Sequence, residues 1–323
     1  MAAGAKVQGP ELSAQRVQLP DGRLHLNHGP IDLIIEAFGD LSEVGAAYEP
    51  AWARFPAILP ELVGELATLR RPMGDAIPSL KGPVARRMAE AVWPYRKAFI
   101  TPMAAVAGAV AEEVLSALLA GRAIRKAYVN DGGDIALHLS PGERFGAGIV
   151  ADLRAPAIEG RAEITAETPV RGIATSGQGG RSFSRGIADA VTVLARRAAD
   201  ADAAATMIAN AVDLDHPAIE RLPAASLDPD SDLGDLPVTV GVGALSPAEV
   251  AAGLDGGARV AKAFADAGLI LAAMLQLRGQ RRVVSGNGYR GPQISLDARG
   301  DLSRGRSARR PPSSSRRSPG RHS

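Results

Sequence analysis

Asn130-Asp131-Gly132-Gly133-Asp134 places a polar, glycine-rich break between two apolar runs. Two consecutive glycines let the backbone turn sharply and point N–H groups at an anion. Asp134 would then accept from a ribose hydroxyl or fix the turn; the same residues also suit a plain hairpin. A second break, Thr175-Ser176-Gly177-Gln178-Gly179-Gly180-Arg181, gathers two hydroxyls, three glycines and a guanidinium. That composition suits a phosphate cradle closed by Arg181, or else a surface loop. It has neither the Gly-Lys-Ser/Thr ending of a Walker loop nor the glycine spacing of the dinucleotide fingerprint. The third candidate is the pair Asp202 and Thr206. Four residues apart on a helix, they stand one above the other on a single face. A carboxylate with a hydroxyl is part of an oxygen site for a hard cation such as Mg²⁺. An aspartate near a helix start also serves simply to offset the helix dipole.

The remaining chemistry is narrow. His25 and His28 flank Asn27 close to Asp32, which suggests a His28–Asp32 relay or a structural histidine. No pair has His-Glu-x-x-His spacing, and no Gly-x-Ser-x-Gly elbow supports a serine hydrolase. The absence of cysteine excludes disulfides, thiolate metal sites and thiol nucleophiles.

The elements that must position these residues follow from periodicity and punctuation. Val17–Leu19 and Arg23–Leu26 read as strands around the turn Pro20-Asp21-Gly22, and Ile31–Ile35 as a third. A helical region broken by Pro50, Pro56 and Pro60 follows, with Leu62, Leu66 and Leu69 at helical spacing. Pro83–Val92 is a helix. Thr101 as N-cap and Pro102 at the first helical position open another, which runs to Ala120 and stops at Gly121. Lys126–Val129, Ile135–Leu139, Phe145–Val150, Ala162–Ala166, Gly172–Thr175, Ala190–Ala195 and Pro237–Val242 read as strands. Helices are expected over Asp200–Val212 and from the capping box at Ser246 to near Gly268, with Leu269–Leu277 closing the sheet. Strands and helices lack βαβ alternation, so the expected class is α+β, a mixed or antiparallel sheet with packed helices.

Composition bounds the partners. The 323 residues carry a net charge of +2, yet residues 281–323 alone hold +9 and residues 1–280 hold −7. An acidic body argues against nucleic-acid binding, which needs a basic face. The most apolar stretch, Phe99–Ala120, loses its uncharged character at Glu112 and reads as a buried helix rather than a membrane span. Met1 to Pro10 lacks an apolar signal core, so a cytoplasmic location is expected. The expected organisation is a flexible stretch over 1–14, one domain over 15–284 and a disordered Arg/Ser/Pro/Gly-rich tail over 285–323.

The order of these motifs is itself informative. Val129 to Ile135, then Ala174-Thr175-Ser176-Gly177, then Val191 to Ala195 followed by Ala201 to Thr206 resembles the ApbE superfamily of FAD:protein FMN transferases. His25 to Leu33, Phe99 to Gly108 and Asp230 to Gly234 resemble the UPF0280 branch more closely, over about residues 15–284. The resemblance implies an ApbE-like α+β fold with FAD lying across the glycine-rich segments. It also implies Mg²⁺ at Asp202 and Thr206, and attack by a threonine hydroxyl of an acceptor protein on the FMN phosphorus as AMP leaves. Asn130, Gly132, Gly133, Asp134, Thr175, Ser176, Gly177 and Arg181 would hold the flavin nucleotide. The transferases also carry a His-x-x-Asp-Pro stretch, whose His serves the chemistry. Here Gln178 to Ala190 contains no histidine, and Asp189 stands as its remnant. A different base would be needed, with His28, His25 or Asp189 as candidates. Two functions are therefore open: a metal-dependent enzyme acting on a flavin nucleotide, or a non-catalytic module that holds or delivers one.

Overall fold

Strands β1 (Gln15–Gln18), β2 (Leu24–His28) and β3 (Ile31–Gly39) form an antiparallel meander at the start of the chain. The structure, a computed structural model, describes residues 13–150, 158–180, 182–286, 289 and 295–296. Arg181, residues 1–12 and most of 285–323 therefore lie outside the described residues, and with them most of the expected N-terminal stretch and tail. In the meander, side chains alternate between faces. Leu24, Leu26 and His28 point inward with Ile31, Leu33 and Ile35 of the neighbouring strand.

The predicted proline breaks do not occur: α1 (Leu41–Leu69) runs unbroken through Pro50, Pro56 and Pro60. Asp40 caps it, accepting from the Ser42 N–H at 2.9 Å. Tyr48, Ala51, Phe55, Ile58, Leu62 and Leu69 form one buried stripe, and tertiary burial of such a face outweighs three missing N–H donors. The helix α2 (Pro83–Val92) matches expectation and passes into a 3₁₀ turn at Trp93–Tyr95. The next helix departs from it. Pro102–Ala105 is a 3₁₀ turn leading into α3 (Val106–Leu119), and Thr101 does not cap. Its hydroxyl instead turns to the Asp232 carboxylate, to which it donates. Pro102–Leu119 is long and apolar enough to cross a membrane by composition alone. Here Ala109, Val110, Val114 and Leu118 are fully buried in the protein core.

Beyond Gly121, whose φ of +67° suits a residue without Cβ, strands dominate. They are β4 (Ile124–Asp131), β5 (Asp134–Leu139), β6 (Arg144–Val150), β7 (Ile158–Thr165), β8 (Gly172–Ser176) and β9 (Ala190–Ala195). Then come α4 (Ala198–Ala211), β10 (Ile219–Pro223), the short α5 (Ala224–Leu227), β11 (Pro237–Val242), α6 (Pro247–Asp266), β12 (Ala272–Leu277), β13 (Gln280–Ser285) and β14 (Ser295–Leu296). The Ser246–Glu249 capping box that opens α6 is formed in both directions.

The main sheet has the order β1-β2-β3-β4-β5-β8-β9-β12-β13, antiparallel throughout. The β12 strand does not close it, because the chain turns at Arg278–Gly279 and adds β13 outside. Two smaller sheets, β10-β11 and β14-β7-β6, complete the topology. The pairing of β14 with β7 continues the fold past residue 284. Helices cover one face of the main sheet, and the larger core lies between them. A smaller core, including Leu137, Ile164, Ile173 and Leu194, fills the opposite face beneath β6 and β7. The expected α+β class is what the chain adopts.

Candidate functional site

The strand ends decide where the polar motifs meet. The β2–β3 turn, the β4–β5 turn and the end of β8 all lie at one end of the main sheet. Gly132 and Gly133 form the β4–β5 turn with φ of +63° and +115°, values that L side chains rarely adopt. The Asn130 Oδ1 accepts from the Gly133 N–H at 2.8 Å and fixes that turn. The Asp134 Oδ1 accepts from the Thr175 N–H at 3.2 Å, tying the hairpin to β8. The Thr175 and Thr192 hydroxyls pair at 3.0 Å.

Two helices bring the carboxylate to this end. A Cβ on Gly108 would meet the Ala198 carbonyl oxygen at 2.4 Å, so α3 and α4 touch backbone to backbone. That approach lets the Asp202 Oδ2 accept from the Gly108 N–H at 3.0 Å. Thr206 follows on the same face of α4.

These parts surround a cavity of about 850 Å³. Its polar wall holds Gly132, Asp134, Thr175, Ser176, Gly177, Asp202 and Thr206, together with Asp131. The rest of its lining is largely apolar and includes Leu59, Leu62 and Leu66 from α1 and Val106 and Val110 from α3. The volume falls within the usual range for small-molecule sites. Burial pushes the Asp202 carboxyl up to about 7; the Gly108 N–H opposes the shift and the charge of Asp131 adds to it. Burial also raises Asp134 well above the usual carboxylate range, helped by the charge of Asp202. Carboxylates that share a poorly solvated wall favour protonation or a cation. No group of three or more His, Cys, Asp or Glu among the described residues is gathered tightly enough to hold a metal by such side chains alone.

The other candidates are placed elsewhere. Asn130 and Gly133 line a second, smaller cavity of about 460 Å³, which shares Gly132 and Thr175 with the first. His28 is buried against the Phe55 ring, 6.2 Å between centroids, and its Nδ1 has no hydrogen-bond partner among the described residues. The conceivable His28–Asp32 relay is not formed. His28 lies on the inward face of β2 while Asp32 lies on the outward face of β3, where the His25 Nε2 meets its Oδ1 at 2.7 Å. Asp189 is also buried, and its carboxylate accepts from the Arg278 N–H at the β12–β13 turn. Neither His28 nor Asp189 lines the larger cavity. Sequence reading missed its apolar wall and Arg70 at its rim. The Leu62, Leu66 and Leu69 periodicity announced a helix but not what its flank would face.

A UPF0280 protein of Methanopyrus kandleri is 39% identical over 141 residues, 43% of this chain and 54% of that protein. A UPF0280 protein of Methanothermobacter thermautotrophicus is 38% identical over 139 residues, covering 40% and 49%. The chain thus spans about half the length of the curated relatives it matches. Among solved structures, a variant of the flavin transferase ApbE from Vibrio cholerae covers 83% of this chain and 98% of its own, with a TM-score of 0.40 and 13% identity. The family described as AbpE bacteria has a model that matches residues 16–283, nearly the whole described chain, and to that family the chain belongs.

Proposed function

We propose that the larger cavity binds a flavin nucleotide, FAD, with Mg²⁺ at Asp202 and Thr206. We further propose that the chain transfers the FMN portion to a hydroxyl of an acceptor protein, with AMP as the leaving group. The observation that carries the reading is the convergence of Asp134, Thr175, Ser176, Gly177, Asp202 and Thr206, distant in sequence, on one cavity whose remaining lining is largely apolar. Such a site suits a ligand that is planar and apolar at one end and anionic at the other. The donor set fits a hard cation: Asp202 and Thr206 offer oxygens from one helix face, and a bound cation would stabilise the ionised form of a carboxyl that burial otherwise disfavours. When bound, the cation would neutralise diphosphate charge and act as a Lewis acid. The remaining work falls to the chain, whose N–H groups at the glycine turns and whose Thr175 and Ser176 hydroxyls would orient the phosphates. The same reading takes the protein to work in the cytoplasm.

A second reading, a carrier that holds the flavin without turnover, is favoured by one observation. His25, His28 and Asp189, the expected bases, are all absent from the residues that line the cavity. Calorimetric titration of the full chain with FAD, FMN and ADP, with and without Mg²⁺, tests both. Micromolar FAD binding that strengthens with Mg²⁺ and is lost in Asp202→Ala supports the site, and Mg²⁺-dependent release of AMP selects transfer over carriage. No binding of any of the three defeats the flavin reading.

A further inference from the structure

The proposed ligand is anionic, yet the cavity wall nearest the sheet carries Asp131, Asp134 and Asp202. Among the described residues that line this cavity, Arg70 is the one cationic side chain. It stands at the C-cap of α1, its N–H bonded to the Leu66 carbonyl at 3.0 Å. It therefore ends the apolar stripe of Leu59, Leu62 and Leu66, roughly 16 Å along the helix axis from Leu59.

Its present partner holds it loosely. The Arg70 Nη1 lies 3.6 Å from the Asp230 Oδ1, beyond hydrogen-bond length, and the Asp230 side chain is 85% exposed. An ion pair of that kind contributes little and exchanges readily. Asp230 nevertheless cannot wander far. Its N–H donates to the Asp228 Oδ1 at 2.9 Å, and two residues on, the Asp232 carboxylate accepts from the buried Thr101 hydroxyl. The loop thus keeps one carboxylate beside the cavity's one described cation.

We propose that Arg70 is a further anion-binding residue of this cavity, joining the glycine turns and the Thr175 and Ser176 hydroxyls on a phosphate of the ligand in exchange for Asp230 and so favouring phosphorylated ligands. The proposal rests on the nucleotide reading above. A planar guanidinium offers a phosphate two parallel N–H donors, geometry that the distant Asp230 carboxylate does not exploit. Asp230 competes for the same group, so removing its charge should help the ligand rather than hinder it.

The test is ADP binding to the full chain in Mg²⁺, by calorimetry, for wild type, Arg70→Gln, Arg70→Lys, Asp230→Asn and the double variant. Arg70→Gln should weaken ADP about tenfold, as loss of a charge-assisted hydrogen bond does. Arg70→Lys should recover part of that loss, because it restores the charge without the fork. Asp230→Asn should strengthen ADP about two- to threefold, and should have no effect once Arg70 is gone. Unchanged ADP affinity in Arg70→Gln, or weaker binding in Asp230→Asn, overturns the proposal. Wild-type protein that binds no ADP at all defeats the nucleotide reading, and this proposal falls with it.

Discussion

Asp202 joins structure to chemistry at a single side chain, since it accepts from Gly108 of the neighbouring helix and also faces the cavity. Its folded-state pKa of about 7 lies above the unfolded value of ~4. The folded chain therefore holds an extra proton between those values. The associated stability is full below about 4 and is lost as pH rises to about 7. The melting midpoint of the metal-free protein should fall across that window, and Asp202→Asn should flatten part of the fall. Asp134, shifted in the same direction by burial and by the charge of Asp202, adds to the fall. Above pH 7, Mg²⁺ should raise the wild-type midpoint and leave the Asp202→Asn midpoint where it is. Thr101 makes a second prediction. Thr101→Val strands the Asp232 carboxylate and should cost about 1–3 kcal/mol in urea unfolding. At this scale the sequence was legible for residue type and poor for direction. Asp202 and Thr206 share a helical face by spacing alone, whereas choosing His25 over His28 as the partner of Asp32 required knowing which face of β2 is buried.

Elements succeed or fail by what touches them. Gly108 is the contact that sets the separation of α3 and α4. Gly108→Ala should force the helices apart, cost about 1–3 kcal/mol and weaken the response to Mg²⁺ together, because the same glycine's N–H holds Asp202. A denaturation curve with and without Mg²⁺ reads both. In α1 the expected sign is reversed. Pro60 is exposed within an unbroken helix, so Pro60→Ala should restore a donor to the Pro56 carbonyl and stabilise the protein by roughly 1–2 kcal/mol. Helix α2, strand β9 and the α6 capping box were readable because local signals and tertiary demand agree there. The continuity of α1 was not, because three local penalties are overridden by a buried stripe that only the folded sheet can supply.

For the molecule as a whole, the α+β class followed from the order of strands and helices, but the topology did not. No periodicity reveals that β9 pairs with β12, or that β13 rather than β12 takes the outer position. The cavity was legible only as separate motifs, since its apolar wall belongs to an element with no chemistry of its own. The order of the sheet also bears on how the chain is made. All six residues of β9 are buried, and one edge of the strand is completed by β12, roughly 80 residues later. At ribosomal rates of about 5–20 residues per second, that edge waits on the order of 4–16 s for its partner to be synthesised. During that interval the nascent chain presents one open edge of a strand already paired with β8. Folding yield in vivo should therefore depend on chaperone capacity and translation speed between residues 195 and 272, even for variants whose finished fold is no less stable.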